Sequence, residues 1–329
     1  MVDSFILPHE KILLMDLPNQ DYEYEKRPMA LDDLKKCREV GIETAFQFIW
    51  WNKIETAPGV YDWTMVEEAI NRVMSADMKL ILFLYEMPPQ FYPDDWYLIQ
   101  DSGHRITHLS LWNPEAQAKE HEFIKMFCER YVSDKIHIAN SLQRDGETML
   151  PIVPCVRGSH AIKSYQERYG TSEITGDNPN TLEWLKESVL NTLIEHQNIF
   201  LSYNHHRDIW GAYHKKIHSK WCGTSFIDSL YQKYREVYTD TVNINVIQFT
   251  YIPHGHSFYS EIKRDIEKFG LNVWGGSEYC EGLPSASPIA KEFKLRGLVT
   301  APIHPFVPHR TIEPWMIENF KNAINLLSN

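Results

Sequence analysis

Short β-rich apolar runs alternate with longer helical patterns eight times, and glycines stop several of the helices just before the next run. No internal repeat or low-complexity linker breaks the order. These features predict an α/β chain folded as a single (β/α)8 TIM barrel, with residues 1–329 forming one domain. Barrels of this kind routinely run to this length around one core.

The first unit pairs the run KILLMDL at 11–17 with the helical LDDLKKCREVG at 31–41. TAFQFIWW at 44–51 then leads to a helix at 64–78, and KLILFLYE at 79–86 leads to a helix at 114–132. KIHIANSL at 135–142 is the fourth strand; a long excursion follows it, ending in a helix at 181–197. NIFLSYNHH at 198–206 reads as the fifth strand, and a helix around 223–238 precedes NINVIQFTYI at 243–252. A helix at 257–269 separates that run from LNVWGGSE at 271–278. Another near 287–296 precedes GLVTAPIHPF at 297–306, and 314–327 closes the chain. Gly41, Gly270 and Gly297 sit where a left-handed helix cap is cheapest for glycine.

Composition narrows the function classes. Hydrophobic residues make up 43% of the chain, enough for a large core. Lys and Arg total 33 against 44 acidic residues, a net −11, and no basic cluster offers a footprint for a phosphate backbone, so nucleic acid is excluded as a partner. The 10 Trp and 17 Tyr supply flat apolar faces that suit sugar rings. Five scattered cysteines without CxxC spacing indicate neither a disulfide framework nor a structural zinc site. Acidic and polar residues interrupt the N-terminal run, and no stretch is long enough to cross a bilayer. The expectation is a cytoplasmic protein without membrane contact, with release by lysis or carriage on a virus particle as further routes to a polysaccharide.

Barrels of this type place their chemistry at the C-terminal ends of the strands. The residues there are Asp16, Trp51 with Glu55, Glu86, Glu147, His205 with His206, Tyr251 with His254, Glu278 with Glu281, and His304. Cutting a glycosidic bond requires a proton donor for the leaving oxygen and an opposed carboxylate, which acts as nucleophile or activates water. Glu147, in the loop QRDGETMLP after the fourth strand, and Glu278, at the end of the seventh, are the expected pair. Trp51 and Trp274 are candidates for stacking on sugar, with Trp96 and Trp112 behind them. Glu86, His206, Tyr251, Glu281 and His304 are candidates for binding hydroxyl groups. The several histidines near strand ends leave a metal-assisted alternative open, but their spacing fixes no ligand geometry, so no metal or other cofactor is expected.

The segments WNKIETAPGVYDW at 51–63, PPQFYPDDWYLIQDSGHRITHLSLWNPEAQ at 88–117 and SYQERYGT at 164–171 resemble clan A glycoside hydrolases, in particular the β-galactosidase-like families. That resemblance implies a catalytic domain with its acid/base after strand four and its nucleophile after strand seven, the positions of Glu147 and Glu278. It also implies a retaining hydrolase acting on a β-linked glycan or glycoside. Gly146-Glu147 departs from the Asn-Glu usual in the clan and is similar to the β-amylases, whose two acids also follow strands four and seven but which invert configuration. An inverting or metal-assisted sugar enzyme is therefore the alternative, with Glu281 as a rival base. A carbohydrate-binding barrel without catalysis is the alternative from another class.

Overall fold

The computed structural model describes residues 9–15, 29–85, 87–140, 155–203, 208–209, 245–248, 267, 273–301 and 311–329. Eight of its strands form one parallel sheet: β1 (Ile12–Met15), β2 (Thr44–Trp50), β5 (Lys79–Tyr85), β8 (Ile136–Asn140), β9 (Asp208–Ile209), β10 (Asn245–Gln248), β11 (Val273–Tyr279) and β12 (Leu298–Ala301). Their spatial order is β10-β11-β12-β1-β2-β5-β8-β9. Among these eight, the last strand in sequence lies beside the first, and every other neighbour is consecutive. That is the circular order of a (β/α)8 barrel. Two small antiparallel hairpins decorate it: β3 (Glu55–Ala57) with β4 (Val60–Tyr61), and β6 (Tyr97–Ile99) with β7 (Arg105–Leu109).

Helices α1 (Leu31–Glu39), α3 (Thr64–Ser75), α4 (Pro114–Tyr131), α5 (Ser159–Tyr169), α6 (Pro179–Ser202) and α7 (Leu283–Glu292) lie between strands in sequence, and α8 (Pro314–Ser328) follows the last strand; a single turn, α2 (Trp51–Ile54), follows β2. Local chemistry sets several of their ends. Asn113 caps α4 by accepting the Glu115 and Ala116 amides at 3.0 and 3.1 Å, with Pro114 in the first turn where its missing N–H is harmless. Gly41, at φ +95°, turns the chain from α1 into β2, as expected of a left-handed cap.

β1 and β5 are buried and apolar on both faces, which explains why they read as unbroken runs. Leu13, Met15, Phe46, Ile81, Phe83, Trp274, Val299 and Ala301 form one buried cluster, with Phe48 packed against it. Their sequence neighbours Ile12, Leu14, Ala45, Leu80, Leu82, Leu84 and Leu298 belong to a second cluster, shared with the helix residues Leu34, Val73, Phe123, Phe127 and Phe320. Alternation between the two clusters along each strand separates a barrel interior from the sheet–helix layer. Rings fill the interior: Phe83 lies 5.3 Å from Phe46 and 5.1 Å from Phe48, centroid to centroid.

Three sequence expectations are corrected. The segment 198–206 is not the fifth strand, because α6 runs on to Ser202 and the strand is Asp208–Ile209. Ile199 and Phe200 complete a buried stripe through Thr181, Leu185, Val189, Thr192 and His196, spaced at three to four residues, so helical burial overrides the local β-rich composition. The helix expected near 287–296 begins at Leu283 and ends at Glu292. Gly297 is not a left-handed cap, since it is absent from the positive-φ glycines. Its constraint is space: a Cβ there would stand 2.3 Å from the Lys11 carbonyl oxygen and 2.4 Å from the Trp274 ring. Gly270 lies outside the described residues.

That close approach carries the junction of the last strand with the first. Leu298 N–H donates to the Lys11 carbonyl at 2.8 Å, and on the other side of β12 the Gly275 N–H of β11 donates to the Gly297 carbonyl at 2.9 Å. Gly297→Ala is expected to lower stability by about 2–3 kcal/mol through overpacking against backbone. Urea unfolding of the variant measures this; a loss under about 0.5 kcal/mol would contradict the assigned contact.

Candidate active site

β2 delivers the first piece of the barrel mouth. Thr44, Phe46, Phe48 and Trp50 share one face of the strand, and Phe46 with Phe48 assigns that face to the barrel interior. Trp50 extends the row to the C-terminal end, partly exposed, with its ring 6.1 Å from that of Phe48. Sequence reasoning missed this residue and chose its neighbour. The period of two within TAFQFIW was the signal that distinguishes them.

Trp51 points the other way, and its expected role in sugar stacking is corrected. It is fully buried, stacked face to face on Phe123 of α4 at 4.6 Å and 8°, and its indole N–H donates to Glu55 Oε2 at 2.7 Å. Glu55 is itself buried and is the centre of the turn after β2. It also accepts the Tyr92 hydroxyl at 2.7 Å and the Gly59 amide at 2.9 Å, with Lys119 Nζ at 3.7 Å. Gly59, at φ +72°, supplies the left-handed residue the β3–β4 hairpin needs to bring that amide round. The buried carboxylate thus has three donors and a cation, which is what makes its burial tolerable.

The neighbouring groups respond to that charge. Burial, then the bond to Glu55, raises the Tyr92 phenol far above its usual range, so it remains a donor. Burial pulls Lys119 down, but bonds to Tyr61 and Glu122 and the Glu55 charge outweigh it, leaving the ammonium at about 12. Tyr92 in turn stacks on Trp96 of the same loop at 5.0 Å and 18°, and its bond to Glu55 pins the long loop after β5 to the turn after β2. Two of the βα loops that frame the mouth are therefore tied through one carboxylate.

β11 delivers the second piece. Its pairing with β12 proceeds through Gly275, Gly276 and Ser277, then shifts register before Tyr279, so Glu278 falls at a β-bulge near the strand's C-terminal end. Bulges re-aim a residue and recur beside active sites. Directly beyond, Cys280–Gly282 forms a 3-10 turn packed closely on the strand, where a Cβ at Gly282 would meet Ser277 Oγ at 2.7 Å. Glu281 lies on this turn, exposed, with Oε2 3.9 Å from Cys280 Sγ. The Cys280 side chain belongs to the sheet–helix layer; its burial, then the Glu281 charge, pushes the thiol up to about 12, so it stays neutral.

Trp274 does not reach the mouth, and its stacking role is corrected too. It is fully buried near the start of β11 and belongs to the interior cluster, with the Arg296 guanidinium 5.7 Å from its ring centroid and Gly297 pressed against its edge. Trp112 stacks on Trp184 in the helical layer. Glu147, Glu86, His206, Tyr251 and His304 lie outside the described residues, as do Asp16, His205 and His254. Among the described residues no group of three or more His, Cys, Asp or Glu could hold a metal ion. No helix among them is long and apolar enough to cross a membrane.

With this geometry in hand, comparison with known proteins gives a consistent picture of the fold. The chain superposes on the catalytic domain of β-amylase from Paenibacillus polymyxa with a TM-score of 0.73 and 13% identity, covering 96% of this chain and 98% of that one. In sequence, 70 residues are 33% identical to a β-amylase of Zea mays; they are 21% of this chain and 14% of that enzyme's length. No family model matches. The likeness is one of fold, a (β/α)8 barrel.

Glu55→Ala is expected to destabilise the chain by about 3 kcal/mol, because it strands a buried indole N–H, a phenol and an ammonium together. Urea unfolding tests this, and a change below about 1 kcal/mol would contradict the central role of this carboxylate.

Proposed function

We propose that this chain is a glycoside hydrolase that cleaves a glycan by direct displacement with inversion, Glu147 acting as general acid and Glu278 as general base. The observation that carries this reading is the place of Glu278: a carboxylate residue at a bulge near the C-terminal end of the seventh barrel strand, in a chain whose fold matches a β-amylase catalytic domain. The sequence puts Glu147 after the fourth strand, in a Gly-Glu pair similar to that of the β-amylases.

Glu147 would give its proton to the glycosidic oxygen as the bond to the anomeric carbon breaks. Glu278 would take a proton from a water that attacks the same carbon from the opposite face. The retaining route expected from the β-galactosidase-like resemblance lacks comparable support, because both compared proteins are β-amylases, and β-amylases invert. Glu278 is preferred to Glu281 as base because it sits on the strand itself, whereas Glu281 lies on the turn beside a thiol of the helical layer. Trp50, on the inward face at the end of β2, would stack against a sugar ring. Tyr251, Glu86, His206 and His304 remain proposed hydroxyl-binding residues, and no metal enters the chemistry.

A β-linked glycan is the substrate class that the clan A motifs favour. A starch-type α-glucan is a second reading, favoured by the β-amylase match over 70 residues. Release of reducing sugar from a panel containing both kinds separates them.

Glu147→Gln and Glu278→Gln are each expected to leave thermal unfolding unchanged and to lower kcat by about 10³-fold or more, since an amide neither donates nor accepts the required proton. Glu281→Gln should stay within a few-fold of the parent. Near-native turnover in Glu278→Gln, with loss in Glu281→Gln, would transfer the base role. Trp50→Ala should raise KM about tenfold with a smaller effect on kcat, the size of one lost stacking contact. EDTA should leave the rate unchanged, and restoration of a chelated enzyme by a divalent cation would support the metal-assisted alternative.

A further inference from the structure

The tryptophan pair of the helical layer does more than fill space. Trp112, in the turn before α4, stacks on Trp184 of α6 with centroids 4.5 Å apart and planes 13° from parallel. Its indole N–H donates to Ser188 Oγ at 2.9 Å, and that hydroxyl donates to the Trp184 carbonyl at 2.8 Å. The Trp184 N–H donates to Ser164 Oγ of α5 at 3.1 Å. Trp184 is buried while Trp112 is partly exposed, so the pair presents one fixed indole at the surface.

That indole stands in an open cleft of about 520 Å³ between the turn before α4 and helices α5 and α6. Its volume lies within the range of small-molecule sites, about 300–1,000 Å³. Arg168 and Glu187 line it as a doubly hydrogen-bonded pair that neutralises itself. Asn191, also in the lining, is exposed, and its side-chain amide has no hydrogen bond among the described residues. An indole, a free amide, hydroxyls, a self-neutralised ion pair and the further carboxylates of Glu167 and Glu195 together offer donors, acceptors and an apolar surface. A neutral polyol with C–H faces meets all of these at once. An inorganic anion would meet Glu167, Glu187 and Glu195 with the single arginine already paired, and no group of three or more metal-ligating side chains occurs among the described residues.

We propose that this cleft is a second, non-catalytic saccharide site on the outer flank of the barrel, holding an oligosaccharide against Trp112 with Asn191 bonded to its hydroxyls. It is built from helices that follow the third and fourth barrel strands, outside the sheet whose strand ends carry the chemistry. The choice of a sugar over other neutral ligands rests on the hydrolase reading; the shape and polarity of the cleft do not.

Full-length Glu147→Gln protein labelled with 5-fluorotryptophan tests the site by fluorine NMR, with the Trp112 and Trp184 signals assigned through single Trp→Phe variants. The probes are maltopentaose, cellopentaose, xylopentaose, galactotetraose and spermidine. At least one saccharide should shift the Trp112 signal saturably, and Asn191→Ala should raise that Kd roughly tenfold, the equivalent of one hydrogen bond. Silence of the Trp112 signal to every saccharide would overturn the proposal, as would a shift that Asn191→Ala leaves unchanged. Response to spermidine alone would make the cleft an organic-cation site and also overturn it. Hydrolysis of the same saccharides by the parent chain is measured in parallel. Hydrolysis without a Trp112 shift sinks the cleft and spares the hydrolase reading, whereas a shift without hydrolysis of any probe does the reverse.

Discussion

The junction of β12 with β1 is the contact on which the rest of this molecule depends. A parallel sheet that places its last strand beside its first has the circular order of a barrel, and closure disposes of the exposed edges that an open sheet must cover. Here the junction is made tight rather than merely paired. Gly297 allows the chain to pass within reach of the Lys11 carbonyl and the Trp274 ring, and Leu298 begins its ladder on that same carbonyl. Trp274 is thereby held in the interior cluster with Val299 and Leu13, so the joining of the last strand to the first and the filling of the interior are one event.

At the opposite end of the strands the controlling group is a buried charge. Glu55 gathers an indole, a phenol, a backbone amide and an ammonium from the turn after β2, the loop after β5 and helix α4. Breaking such a set leaves several desolvated partners at once, which makes the arrangement all-or-none and fixes the turn that follows Trp50. The bulge at Glu278 performs the corresponding task on β11 through backbone register alone. A scaffold that is rigid in these two places can present carboxylates and a ring to a common mouth.

Seven of the eight barrel strands were legible from their β-rich apolar runs, and a strand covered on both faces, such as KLILFLYE, shows this most clearly. The fifth was not, because Ile199 and Phe200 are apolar for a helical reason that depends on residues as far back as Thr181. In the candidate site, the place of Glu278 at the end of its strand was legible from order alone. The roles of Trp51 and Trp274 were not: indoles that pack under a loop or plug a barrel carry the same letter as those that meet a ligand. For Trp50 and Trp51 the alternation within the strand held the answer. For Trp274 the answer lay in its distance from the strand's C-terminal end. The bulge, the Glu55 cluster and the flank cleft all depend on partners remote in sequence, and no local pattern announces them.

The central claim is that two glutamates from the fourth and seventh units face one another across the barrel mouth at the spacing inversion requires. A crystal structure of the Glu147→Gln chain with a saccharide bound across the mouth measures this directly. The account predicts the side chains of residues 147 and 278 on opposite faces of one sugar ring, about 6.5–9.5 Å apart, with a water held by Glu278 on the side away from the leaving oxygen. A separation of about 5–5.5 Å would mark a retaining site and contradict inversion. Either residue turned away from the sugar would contradict the assignment of the pair.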